Sequence, residues 1–339
     1  MKIPQPSPKV VETQRLGITD ITIDYSSPAT RGRDVWNDIV RQSGDPNLAW
    51  RAGANMNTRI SFSTDVTING EPLEAGSYGF HIDPDGENYI LMFAHHDNLW
   101  GSYYLNRDKH VAFKTTAKSV ETNFSEQLDY EFVDRTDSTV VIALEWADKR
   151  IPFTVGVDLN KTVIENFRYE LLGENTNRWQ AWNDAASWCL NRNTNLEEAL
   201  EWANRSINGG YGGFAANRNA QNVGTKIQIL ARLNKKDELP QALEQLKGLD
   251  MGEFDYYTLN RALNNAGLNK EAYDLIEEGI KTYPDVWYLK LSKGVTQYFM
   301  GDTKKAFQTF DKMNAPDNFS ARLEQIKKEM NEGTYQYPN

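Results

Sequence analysis

Trp50-Arg51-Ala52-Gly53-Ala54-Asn55 opens, and His95-His96-Asp97-Asn98-Leu99-Trp100-Gly101 closes, the stretch whose reading decides the fold. Between them apolar residues alternate: Ile60 and Phe62, Val66 and Ile68, then Tyr78, Phe80 and Ile82, then Tyr89, Leu91 and Phe93. Alternation of period two puts each set on one face of an extended chain, which is the pattern of half-buried strands. Asn69-Gly70 supplies a turn of the kind that needs positive φ, so neighbouring arms are antiparallel. The stretch reads as a β core with a polar, aromatic-rich rim.

Working outward, Pro4, Pro6 and Pro8 form an extended lead-in. Ile21, Ile23 and Tyr25 alternate with Asp20, Thr22 and Asp24 as a further strand, broken by Ser26-Ser27-Pro28. A loop Arg31-Gly32-Arg33-Asp34-Val35-Trp36 follows, then a Gly44-Asp45-Pro46 turn. On the other side, Phe132-Val133, then Val140, Ile142, Leu144 and Trp146, and then Ile151, Phe153, Val155, Val157 and Leu159 continue the alternation. Lys149-Arg150 reads as a hairpin connection between the last two runs. Short antiparallel strands in this number predict a β-sandwich or barrel, with the sandwich preferred. From Lys161 the period changes: Val163, Phe167 and Leu171 recur every four residues and Gly173 stops the run, as in an amphipathic helix with a C-terminal glycine. The expected domains are therefore 1–173, a β-sandwich with one C-terminal helix, and 174–339, a helical array.

The second half carries an internal rhythm. Ala199, Ala242, Ala272 and Ala306 each lie near the start of a helical segment. The last interval equals the tetratricopeptide period, and a small residue there lets a neighbouring helix approach closely. Gly267, Gly301 and Tyr283-Pro284 fall at the expected turns, while Gly209-Gly210-Tyr211-Gly212-Gly213-Phe214 reads as an inter-repeat connection. A phosphate loop is disfavoured there, since no strand precedes it and no Lys-Ser/Thr follows. The whole chain is thus an α+β two-domain protein, a sandwich followed by degenerate tetratricopeptide-like hairpins. Stacked helix pairs predict a protein or peptide partner.

Composition narrows the class. The 339 residues carry a formal net charge of −10, which disfavours nucleic acid and anionic lipid as partners. There is a single cysteine, Cys189, inside an apolar helical pattern, so an intramolecular disulfide is excluded and a buried thiol is expected. No run of 18 apolar residues exists to span a membrane.

The first domain resembles a bacterial family described as a domain of unknown function, number 2911, common in Bacteroidetes. The resemblance covers about residues 4–172. It is carried by Pro6-Ser7-Pro8, Gly17-Ile18-Thr19, Ile23-Asp24-Tyr25-Ser26, Gly32-Arg33 with Trp36, and Trp50-Arg51 with Gly53-Ala54-Asn55. Thr58, Asp65-Val66, Ile68-Asn69-Gly70, Ala75-Gly76 and Trp100-Gly101 complete it. Asn37 stands where glycine is usual and His110 where aspartate is expected. The resemblance implies an exported protein, hence a periplasmic or extracellular location with the leader absent from this chain. It implies no activity.

Candidate chemistry lies on the rim. Arg31, Arg33, Arg51 and Asn55 beside Trp36, Trp50 and Trp100 suit a polar ligand with an apolar face, glycan-like or a carboxylate. His95 and His96 join this set of ligand-binding candidates, and the three loops are expected to converge on one end of the sandwich. The competing reading has Arg51 and Asn55 bonding loop backbone, the tryptophans filling core ends, and Asp34, Asp38 and Asp97 neutralising the arginines. A transition-metal site from His81, His95 or His96, and His110 with Asp83 or Asp97 is a further alternative. His81 should face away from the core, and surface histidines are the expectation. Asp83-Pro84-Asp85-Gly86 is turn chemistry first. No nucleophile elbow, zinc-protease helix or dinucleotide fingerprint is present, so no cofactor is expected. The enzymatic alternative is a hydrolase acting on a cell-envelope substrate through the Arg51–Asn55 rim; the preferred class is a non-enzymatic binding or scaffold protein.

Overall fold

The structure, a computed structural model, describes residues 3–41 and 48–337; the expected Gly44-Asp45-Pro46 turn lies outside the described residues. Among the described residues ten strands build two antiparallel sheets. The first contains β1 (Lys9–Leu16), β2 (Thr19–Ser26), β3 (Thr58–Phe62), β6 (Gly76–Asp85), β7 (Asn88–Ala94) and β8 (Val111–Lys118) in the order β1-β2-β3-β6-β7-β8. The second, in the order β5-β4-β10-β9, contains β4 (Val66–Ile68), β5 (Glu71–Leu73), β9 (Val120–Val133) and β10 (Thr139–Gly156). The alternating sequence dictates this: β2 and β3 bury every second residue. Ile23, Ile60, Phe80, Ile82 and Leu91 of the first sheet meet Ile68, Leu128, Ile142, Leu144 and Val155 of the second in one core. Asn69 (φ 51°) and Gly70 (φ 90°) turn β4 into β5 through the expected left-handed pair.

Two expectations need correcting here. Lys149-Arg150 is not a hairpin, because β10 runs unbroken through it, with Lys149 opposite Glu121 and Arg150 opposite Val120. The strand stays intact because Arg150 pairs with Glu145 and, at 3.4 Å, with Glu131. A register shift near Ala147 (φ 51°) absorbs the extra residue as a bulge. Asp83, Pro84 and Asp85 also belong to a strand, β6, so the turn begins only at Gly86. The residues of β1 and most of β9 lack strict apolar alternation, since one face of each is solvated, and that hid both strands from the sequence.

A short helix, α1 (Arg107–His110), interrupts the segment between β7 and β8, and α2 (Leu159–Leu172) follows β10. Nine further helices follow. They are α3 (Trp179–Arg192), α4 (Leu196–Asn208), α5 (Ala220–Arg232), α6 (Leu239–Glu244), α7 (Glu253–Asn265), α8 (Asn269–Thr282), α9 (Trp287–Phe299), α10 (Thr303–Phe310) and α11 (Ser320–Asn331). They form hairpins, α3/α4 to α9/α10, closed by α11. Ala199, Ala242, Ala272 and Ala306 are fully buried in the second helix of each pair. Cys189 is buried in α3. The chain divides into two compact units, Met1–Glu165 and Asn166–Asn339, a division that falls inside α2.

Candidate functional site

Residues 50–55 are placed by backbone bonds to a strand end. Trp50 N–H donates to the Ile82 carbonyl and Ile82 N–H to the Trp50 carbonyl, each at 2.8 Å. The chain then turns sharply through Ala52 (φ 53°) and Asn55 (φ 62°). Gly53 is required: a Cβ there would meet Thr58 Oγ1 at 2.8 Å and the Ser26 carbonyl at 3.2 Å. The Ala52 carbonyl is fixed by Thr58 Oγ1 (2.8 Å) and Tyr130 Oη (2.9 Å).

This turn carries Arg51 and Asn55 to one rim. Arg51 Nη1 donates to the Asn55 carbonyl at 2.5 Å, and its guanidinium lies against Gly101, whose missing Cβ makes room, and over the Tyr103 ring at 5.5 Å. Asn55 Nδ2 donates to Ser26 Oγ at 3.2 Å. From the neighbouring loop, Arg33 donates to the carbonyls of Thr30 (2.9 Å) and Ala29 (2.7 Å), and Arg31 to that of Pro6 at 3.3 Å. Arg31, Arg33, Trp50, Arg51 and Asn55 line one cavity of about 300 Å³, with Trp146 as an added wall.

Among the described residues none of these three guanidiniums has an ion pair within 4 Å. Two of the carboxylates expected to neutralise them, Asp34 and Asp97, are engaged elsewhere. Asp34 accepts from Asn37, and Asp97 accepts from Ser77 Oγ (2.7 Å) and faces Arg59. Glu126 is the acid that touches the loop, accepting from Thr30 Oγ1 (2.5 Å) and the Arg31 backbone N–H (2.9 Å). The Thr30 bond first, with the Arg31 N–H and the charges of Arg31 and Arg33, holds its carboxyl below the ordinary range.

The tryptophans divide. Trp36 and Trp50 do not stand out toward a guest but pack in the core: Trp50 stacks on Trp146 at 5.8 Å and 9°, and Trp36 meets both edge-on. Their three indole N–H groups are buried without partners among the described residues. Trp100 lies outside the cavity, 58 % exposed, bridged to Met56 beside Tyr103 and Tyr104, which are also exposed. Arg51 is the residue that joins the two, facing the cavity and abutting Gly101.

The histidines do not converge. His81 does point off the core face, yet it is fully buried, a correction to the surface expectation, because residues 95–102 fold over it. Its Nδ1 is 2.8 Å from Ser102 Oγ, and Nε2 is 3.5 Å from Asn57 Nδ2. Burial pushes its imidazole down to about 4, with the Arg51 and Arg107 charges adding to the effect. Among the described residues no carboxylate is bonded to this serine–histidine pair, and Asp83 is held by Arg107. The pair therefore anchors the covering loop. His96 stacks on His110 at 4.0 Å and His95 leans on Tyr78. Among the described residues no group of three or more His, Cys, Asp or Glu is placed to hold a metal ion.

Sequence reasoning missed Glu126, Trp146, Asn57 and Ser102. Trp146 was visible as a strand residue, but nothing local marked the others as partners of the rim.

Residues 7–155 match the model of a family described as a protein of unknown function (DUF2911). No curated protein matches the chain. Among solved structures, MamA is similar at 16% identity and a TM-score of 0.31, over 52% of this chain and 87% of that one. A second MamA structure gives 17%, 0.32, 51% and 90%. A TPR-domain containing protein from Parabacteroides distasonis gives 9% identity and a TM-score of 0.20, over 98% of this chain and 76% of its own. Among the described residues no helix is long and apolar enough to cross a membrane.

Proposed function

We propose that this is a binding or scaffold protein whose helical hairpins contact a protein or peptide and whose β-domain cavity takes a carboxylate-bearing, glycan-like ligand. The observation that carries the second part is the set Arg31, Arg33 and Arg51 on one cavity with no ion-paired acid among the described residues. Each guanidinium has five N–H donors and spends at most two on backbone carbonyls here. Donors in a fixed fork favour a planar carboxylate. The exposed Trp100, Tyr103 and Tyr104 beside Arg51 offer apolar faces to a sugar ring. Stacked helix pairs supply the extended surface that suits a partner protein. The family resemblance favours an exported, periplasmic or extracellular protein, and fractionation of the native host checks that location.

The cavity is tested by calorimetric titration with oligogalacturonate and with its neutral galactose counterpart. The acidic sugar should bind and the neutral one should not, and Arg31→Glu should weaken binding at least tenfold, roughly the value of one charge-assisted hydrogen bond. Equal binding of both sugars, or none, removes the carboxylate reading.

A further inference from the structure

Two asparagines in the helical unit are placed where stacking helices would be better served by apolar residues. Asn260 and Asn264 lie one turn apart on the same face of α7, fully buried and 8 % exposed. With Thr296 of α9 they form a polar notch. Asn260 Nδ2 donates to the Ala272 carbonyl (2.9 Å) and Thr296 Oγ1 (3.0 Å), and Asn264 Nδ2 donates to Thr296 Oγ1 at 2.9 Å. A buried amide left unbonded costs roughly 1–3 kcal/mol, so these bonds hold the notch in shape.

What reaches it is the chain's own segment beyond α11. Gly333 (φ 70°) turns the chain, and the Thr334 and Tyr335 N–H groups bond to the Glu329 carbonyl. Tyr335 then packs on Tyr298 and Phe299, and the Tyr337 ring lies against Phe299 and under the Arg261 guanidinium at 5.6 Å. Tyr337 Oη enters the notch, accepting from Asn264 Nδ2 (3.1 Å) and facing Asn260 Oδ1 at a long 3.4 Å. The fit is incomplete: Asn260 Oδ1 accepts from Asn264 Nδ2 at 3.2 Å, but Asn264 Oδ1 is buried with no donor among the described residues. An extended peptide carries backbone N–H groups that suit such an oxygen.

We propose that this face of α7 and α9 is a peptide-binding site, that residues 334–337 occupy it as an intramolecular ligand, and that its partner is an extended peptide presenting Tyr-x-Tyr. The proposal rests on the reading of the helical array as a peptide scaffold and names its site. α7 and α9 are the first helices of successive hairpins, so one segment lying across both spans two repeats.

The test adds a labelled peptide of residues 332–339 in trans. Against the intact chain the tethered tyrosines compete at an effective concentration near millimolar, so the Tyr335→Ala/Tyr337→Ala chain should bind it at least tenfold more tightly. Adding Asn264→Leu to that chain should abolish the gain. A double variant with an unchanged far-UV circular dichroism spectrum that does not bind the peptide overturns the proposal. Should the double variant not fold, hydrogen exchange on the intact chain decides: saturating peptide should speed exchange at residues 334–337, and no change overturns it. Peptides selected on the intact chain from a random library separate the two levels. Binders indifferent to Asn264→Leu overturn this site and leave the scaffold, while a library yielding none overturns both.

Discussion

His81 shows how a single side chain ties the rim to the sandwich. Strand parity, with Phe80 and Ile82 facing the core, correctly sent His81 to the other face; that a loop would bury it there was not legible, because the cover comes from residues that no local pattern links to it. Its imidazole is pinned between Ser102 and Asn57, near the cations Arg51 and Arg107. The sign of the consequence follows. The folded state titrates at about 4 against an ordinary 6.5, so it disfavours the proton. The neutral histidine's contribution is complete above about pH 6.5 and is lost as pH falls toward 4, roughly 3 kcal/mol across that window. Denaturant unfolding at pH 7 and pH 4.5 should therefore show a steeper acid loss in the parent than in His81→Gln. Parallel slopes for the two proteins would refute the buried neutral imidazole. Glycine at position 53 belongs to the same scale. It stands in the stretch Trp50–Asn55, and its reason, the approach of Thr58 and Ser26, needed the fold.

At the scale of elements, legibility followed the physical basis of each pattern. β2, β3, β6 and β7 were readable because one face is core and the other is not. β10 was cut in two on paper because Lys149-Arg150 looked like punctuation, and the acids that keep it whole, Glu131 across the ladder and Glu145 along it, sit outside any local window. Helix pairs were readable from their buried alanines, since close approach leaves room for little else. The same logic makes a prediction at Gly294 of α9. A Cβ there would lie 2.7 Å from Phe310 Cδ1 and 2.9 Å from Cζ, and Phe310 is itself buried. Gly294→Ala gains helix propensity of about 1 kcal/mol in a helix interior. Overpacking typically costs more, about 1–3 kcal/mol, so the net sign should be destabilising. Thermal melts of Gly294→Ala and Gly294→Ala/Phe310→Leu check this, because the second change should recover most of the loss if the ring is the obstacle.

At the scale of the whole molecule, the period change at Lys161 located α2, and two boundaries compete, one after Gly173 and one within the helix. Reading Gly173 as a domain end assumes that a helix belongs to the unit it follows. In the structure the division between units falls within α2, between Glu165 and Asn166. Its last turns serve the helical unit: the Phe167 ring meets Trp188 at 5.6 Å and Trp202 at 6.0 Å, and Arg168 pairs with Glu198 at 2.7 Å. The ion pair is half exposed and contributes little, about 0–1 kcal/mol. The ring matters more, since removing a packed phenylalanine from two tryptophans forfeits roughly 1.5–3 kcal/mol of apolar burial with a further edge-to-face term. A fragment of residues 159–339 should therefore resist urea better than one of residues 174–339 by about 2 kcal/mol. Phe167→Ala in the longer fragment should erase most of the difference. Equal midpoints for the two fragments would mean that α2 ends the first unit after all, and that the boundary after Gly173 is the physical one.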